Sequence, residues 1–139
     1  MMSRSINFNG DYPWGNQPGN KPANRPYCEV IIYGPNGLSK YSQFCIVDSG
    51  ADYLQVPEAA LATVGINWVP AWGHEQVMDA SFCNFAFRVY RNVEIGIEGK
   101  RFALPKLISS PNVPPLLGRS AFLAAMDVGF DSSGWLFRS

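Results

Sequence analysis

The stretch Cys45-Ile46-Val47-Asp48-Ser49-Gly50-Ala51-Asp52 constrains this chain most. Three apolar residues read as buried strand and run straight into an acid, a small hydroxyl residue, glycine, alanine and a second acid. A carboxylate that follows directly on a buried strand starts its turn inside the molecule or at an interface. It is costly there unless paired or hydrogen-bonded. Ser49 offers a hydroxyl and Gly50 a backbone that can approach closely. Taken alone, Asp-Ser-Gly is an ordinary Asx turn closing a hairpin. A second element, Pro114-Pro115-Leu116-Leu117-Gly118-Arg119-Ser120-Ala121-Phe122-Leu123, changes its weight: an apolar pair, a glycine, an arginine and the start of a short helix.

A chain of 139 residues suits one compact domain, and it carries one Asp-Ser-Gly and no internal repeat. Hydrophobic residues make up 47%, enough for a core. Eleven basic residues balance 11 acidic ones. That balance argues against an electrostatic nucleic-acid binder and leaves little repulsion to oppose self-association. There is no apolar run of membrane-spanning length and no apolar core of a signal peptide, so no membrane partner and a cytoplasmic location are expected. Cys28, Cys45 and Cys83 lack metal-ligand spacing, and an odd count fits a reducing compartment. Their apolar and aromatic neighbours predict three buried thiols. No metal and no cofactor are expected. The one histidine, His74, lies among Trp72, Gly73 and Glu75 in an expected loop.

Residues 1–26 are rich in Asn, Gly, Pro and Ser and read as a flexible polar arm ahead of a domain over 27–139. Residues 27–33 and 41–47 read as strands joined by Gly34-Pro35-Asn36-Gly37. A short helix is expected over 57–64, with Pro57 at its start and Gly65 as its stop. Residues 68–80 read as irregular. Strands follow over 82–90, 93–97 and 101–107, with Glu98-Gly99-Lys100 as a turn and Pro105 marking an edge or bulge. A Pro-rich loop over 109–115, a helix over 118–125 and a closing hairpin of 128–131 with 135–137 complete the pattern. Many short strands with two brief helices predict an all-β, closed, barrel-like architecture.

The two motifs, in this order and in a chain of this length, resemble those of the retropepsin-like aspartic proteases, the family of the retroviral proteases and their single-domain cellular relatives. Asp48 to Ala51 match the family's Asp-Thr/Ser-Gly-Ala, and Leu116-Leu117-Gly118-Arg119 match its second motif. The resemblance implies a small barrel-like acid-protease half-domain with a hairpin flap. It implies Asp48 as the catalytic residue, Ser49, Gly50 and Ala51 as loop support, and Gly50 and Asp52 as substrate contacts. Asp52 and Arg119 would form a partly buried ion pair. The flap would span 74–87, with Met78-Asp79-Ala80-Ser81 at a tip that lacks the family's usual glycines, and with Met78, Asp79 and Ala80 as further substrate contacts. Phe82, Phe85 and Phe87 divide between flap and core, with two expected in the core. Trp68 and Trp72 would line a pocket or cap the barrel. The implied activity is peptide-bond hydrolysis by a homodimeric aspartic endopeptidase acting on a peptide or polyprotein. The Trp135-Leu136-Phe137 segment, with no obvious partner in its own domain, would help join the subunits. A non-catalytic peptide-binding or dimerisation module on the same fold is the alternative, and an unrelated small barrel with Asp48 capping a turn a further one.

Overall fold

The computed structural model describes residues 10–13, 27–78, 83–130 and 134–138. In chain order these form β1 (Gly10–Pro13), β2 (Tyr27–Tyr33), β3 (Lys40–Val47), β4 (Gln55–Pro57), α1 (Glu58–Thr63), a 3₁₀ turn (Pro70–Trp72), β5 (His74–Met78), β6 (Asn84–Ile97), β7 (Lys100–Ser110), β8 (Leu116–Leu117), α2 (Arg119–Ala125), β9 (Asp127–Phe130) and β10 (Gly134–Arg138). The fold is mostly β. The larger sheet runs β2-β3-β8-β4-β7-β6-β5, and a further β2–β6 pairing closes it into a ring that leaves β5 outside. Alternation explains the closure. Val30, Ile32, Ile95 and Ile97 all point inward and are buried, and Val30 and Ile32 lie opposite Ile97 and Ile95 across the seam.

The turns are those the residue types demand. Glu98 and Gly99 have φ of 49° and 80°, the paired positive angles of a two-residue hairpin loop between Ile97 and Lys100. Helix α1 buries Ala60 and Leu61. It stops at Gly65, whose N–H bonds the Ala62 carbonyl while the Ile66 N–H bonds that of Leu61. This is a Schellman ending on a left-handed glycine. At Pro105 the β6–β7 ladder skips Asn92 and Pro105 and resumes in the same register, so no bulge residue is inserted. The other neighbour of β7 reaches only as far as Ile108, so Pro105 stands at a sheet edge.

Several expectations need correction. Residues 74–78, read as irregular, form strand β5 against β6. Strands expected over 82–90 and 93–97 are one continuous strand, because Asn92 bends through a positive φ of 56° without ending it. Gly10–Pro13, inside the stretch read as an arm, pairs antiparallel with β10. The 134–138 segment has two partners in its own chain, since β10 is the central strand between β1 and β9. Cys28 and Cys45 are buried, but Cys83 is exposed. Phe87 is buried, Phe85 is half exposed and Phe82 lies outside the described residues. No helix among the described residues is long and apolar enough to cross a membrane.

The ring closure generates a prediction. Ile95 is fully buried at the β2–β6 seam. Ile95→Ala is expected to cost about 2–5 kcal/mol in urea unfolding, from lost transfer energy plus a cavity. A cost under about 1 kcal/mol would show that the seam is loosely packed.

Candidate active site

The Asp48 turn owes its position to two parallel strands that end together. Ile46 and Val47 of β3 lie beside Leu116 and Leu117 of β8. The Ile46 N–H donates to the Pro115 carbonyl (3.1 Å) and the Asp48 N–H to that of Leu117 (3.0 Å). Both motifs therefore leave the sheet side by side. Strand β8 sits between β3 and β4, the two strands that the 48–54 loop connects. The loop turns tightly, with the Ala51 N–H on the Asp48 carbonyl (3.2 Å). The half-buried Asp48 carboxylate accepts the Gly50 N–H through Oδ1 (2.9 Å), an Asx turn on a parallel strand pair rather than on a hairpin.

The second motif clasps this loop from behind. The N–H groups of Arg119 and Ser120 donate to the carbonyls of Ala51 (2.9 Å) and Asp52 (3.0 Å). The Arg119 guanidinium donates to the Ser49 carbonyl (2.6 Å) and pairs with the Asp52 carboxylate. This close fit requires a glycine at 118. A Cβ there would stand 2.2 Å from the Tyr53 carbonyl oxygen, a backbone atom that cannot swing away. The Asp52–Arg119 pair is more exposed than the resemblance implied, with 66% of the Asp52 side chain and 47% of the Arg119 side chain accessible.

A groove of about 980 Å³ opens in front of the loop. Asp48, Gly50, Ala51, Asp52 and Tyr53 form one wall, and Glu75 to Met78 with Phe85 to Phe87 of the β5–β6 hairpin form another. The 110–114 segment closes the side, pinned by the Gln55 amide donating to the Pro114 carbonyl (3.0 Å). Most of the surface is apolar or uncharged, and among the described residues every charged one that lines it is an acid.

Of the residues singled out in the sequence, Asp48, Gly50, Ala51, Asp52 and Met78 meet at this groove. Ser49 is exposed on the turn, and Arg119 stands behind it. Asp79 and Ala80 lie outside the described residues, as do Ser81 and Phe82. Trp68 and Trp72 do not line the groove. Trp68 contacts the tilted His74 ring (centroids 5.2 Å apart) and the Arg88 guanidinium (4.5 Å), Trp72 packs on Tyr90, and both tryptophans pack against the core. His74 is thus engaged with Trp68 rather than with a nucleophile. Burial pushes the Cys28 thiol well up, and Glu98 adds to the effect, so it stays protonated and unreactive. Among the described residues no three His, Cys, Asp or Glu side chains are grouped to hold a metal ion. Sequence reasoning missed Tyr53, Glu75 and Lys106, which form a hydrogen-bonded cluster at the groove wall. No family model matches the chain, and neither does any curated protein.

Two outcomes follow from the clasp. Gly118→Ala is expected to destabilise the fold by roughly 1–3 kcal/mol in denaturant unfolding, as overpacking against backbone does. A double-mutant cycle on Asp52→Ala and Arg119→Ala is expected to give only about 0.2–1 kcal/mol of coupling, falling with added salt, because the pair is exposed. A coupling above about 3 kcal/mol would mean the pair is buried in the working form.

Proposed function

We propose that this chain is an aspartic endopeptidase of retropepsin type, an acid-protease half-domain that becomes complete as a two-fold homodimer. The observation that carries the proposal is the Asp48 carboxylate on a clasped Asp-Ser-Gly-Ala turn, facing a groove large enough for an extended peptide. The chemistry needs two carboxylates about 3 Å apart sharing one proton. One chain offers a single Asp-Ser-Gly, and a two-fold axis brings a residue on it against its own copy.

In the proposed reaction the ionised Asp48 takes a proton from a water held between the two carboxylates. The water oxygen attacks the peptide carbonyl carbon as the protonated Asp48 of the other subunit gives its proton to the carbonyl oxygen. The tetrahedral diol then collapses. The C–N bond breaks as one carboxyl gives its proton to the nitrogen and the other carboxylate takes a proton from a diol hydroxyl, which re-forms the carbonyl and returns the pair to one shared proton. Gly50 and Ala51 keep the groove floor low enough for a peptide backbone, and the Arg119 clasp holds the turn rigid. The β5–β6 hairpin would exclude water as a flap.

The test is incubation of the purified protein with a mixed peptide pool from acid to neutral pH. Cleavage is expected over a bell-shaped pH range, because only the singly protonated pair is active. Asp48→Asn is expected to abolish cleavage and leave the fold intact, since it keeps the shape and removes the acid. Parental rates in the Asn variant would refute the assignment. Peptide binding without cleavage by the wild-type chain would favour the non-catalytic peptide-binding module instead.

A further inference from the structure

One polar cluster beside the groove is not used by the proposed chemistry. The Tyr53 hydroxyl donates to Glu75 Oε1 (3.3 Å), and Lys106 Nζ donates to Glu75 Oε2 (3.1 Å) and to the Tyr53 hydroxyl (3.3 Å). Lys106 also lies 4.4 Å over the Tyr53 ring. The three come from separate places: the loop after Asp52, the outer strand β5 of the hairpin, and β7. Tyr53 and Glu75 face the groove, whereas Lys106 stands behind them and does not line it.

This arrangement sets the charge that a ligand meets. Glu75 alone would make this part of the wall acidic. Lys106 neutralises it from behind, and the side chains are only 23% (Lys106) and 32% (Glu75) accessible, so water screens the pair less than it would a surface pair. Burial pulls the Lys106 pKa down, but the Glu75 carboxylate and the Tyr53 hydroxyl outweigh it and hold it above the ordinary lysine value. The cation therefore persists at neutral pH. What remains toward the groove from this cluster is a neutral hydrogen-bonding surface, the Tyr53 hydroxyl and the remaining lone pairs of Glu75, next to the Arg119-paired Asp52 and to Asp48, which is used by the proposed chemistry.

We infer that Tyr53, Glu75 and Lys106 form a specificity-determining subsite that takes an uncharged polar side chain of the bound peptide, with Lys106 as the residue that keeps charged side chains from being selected. This rests on the reading of the groove as a peptide site. An acidic side chain here would face Glu75 and a basic one would compete with Lys106 for it. Either costs desolvation without a free partner.

The test uses peptide sets that differ at one position, in turn, by carrying Gln, Lys or Glu. Their kcat/KM values are compared for the wild-type chain, Lys106→Gln, Glu75→Gln and Lys106→Arg. Their binding is measured in parallel in the Asp48→Asn background by fluorescence anisotropy. At one peptide position the wild type is expected to favour Gln over both charged residues. Lys106→Gln uncovers Glu75 and should shift the Lys:Glu preference toward Lys by roughly tenfold. Glu75→Gln uncovers Lys106 and should shift it toward Glu by roughly tenfold, the scale of one uncompensated, partly screened charge. Lys106→Arg should keep the wild-type pattern. The opposed signs of the two charge-removing variants separate a subsite from a loss of stability, and Glu75→Gln carries the test if Lys106→Gln does not fold. Charge preferences identical in all variants at every position would overturn the inference and leave the peptidase reading standing. The same shifts in binding, with no cleavage by the wild type, would uphold the subsite and refute the peptidase. Peptides neither bound nor cleaved would refute both.

Discussion

Everything at the candidate site depends on one close contact, the packing of Gly118 against the backbone of Tyr53. It lets the start of α2 reach the 49–52 turn, so that the N–H groups of Arg119 and Ser120 and the Arg119 guanidinium satisfy carbonyls that a tight exposed loop would otherwise leave to water. The parallel β3–β8 pair brings the two segments to that point from positions far apart in the chain. Asp48 is thereby held by four kinds of restraint at once: its own strand, its Asx turn, the neighbouring strand and the clasp. A residue fixed to this degree suits proposed chemistry that needs two carboxylates in register across a symmetry axis.

The groove extends the same logic to the ligand. Its walls come from the clasped loop, the 110–114 segment and the β5–β6 hairpin. Among the described residues strand β5 is the last strand of its sheet and pairs with β6 alone. The Glu75–Tyr53–Lys106 cluster links it to the Asp48 loop on one side and to β7 on the other. The cluster therefore couples two proposed tasks, covering the peptide and choosing its side chain. The central place of β10 between β1 and β9 bears on the dimer. A second subunit added to that sheet would meet the outer edge of β1 or β9, since both edges of β10 are taken.

Much of the fold was legible because its signals are local. Strand β2 shows in the alternation of Val30 and Ile32, the end of α1 in Gly65, and the β6–β7 hairpin in Glu98-Gly99. The Asp48 turn and the Gly118-Arg119 segment were visible as a pair of motifs, and the structure brings them into contact. What stayed hidden depends on distant partners. His74-Glu75-Gln76-Val77-Met78 carries one β-branched residue and opens on three polar ones, and only the ladder with β6 makes it a strand. Gly10–Pro13 holds three turn-formers in four residues and is a strand by its pairing with β10. Lys106 shows no signal at all, because its partners at 53 and 75 are brought near by the pairing of β7 with β4 on one side and, through β6, with β5 on the other. The exposed Cys83 was misjudged for a related reason: neighbours in sequence say little about which face of a hairpin a side chain will occupy.

The central claim is that one chain supplies half of a catalytic pair. Mixing the wild-type protein with Asp48→Asn at constant total concentration, above the dimer dissociation constant, tests it most directly. If both Asp48 carboxylates are needed in one dimer, mixed dimers are inactive and the cleavage rate falls as the square of the wild-type fraction. A rate that falls linearly with that fraction would show that each chain works alone and would contradict the account.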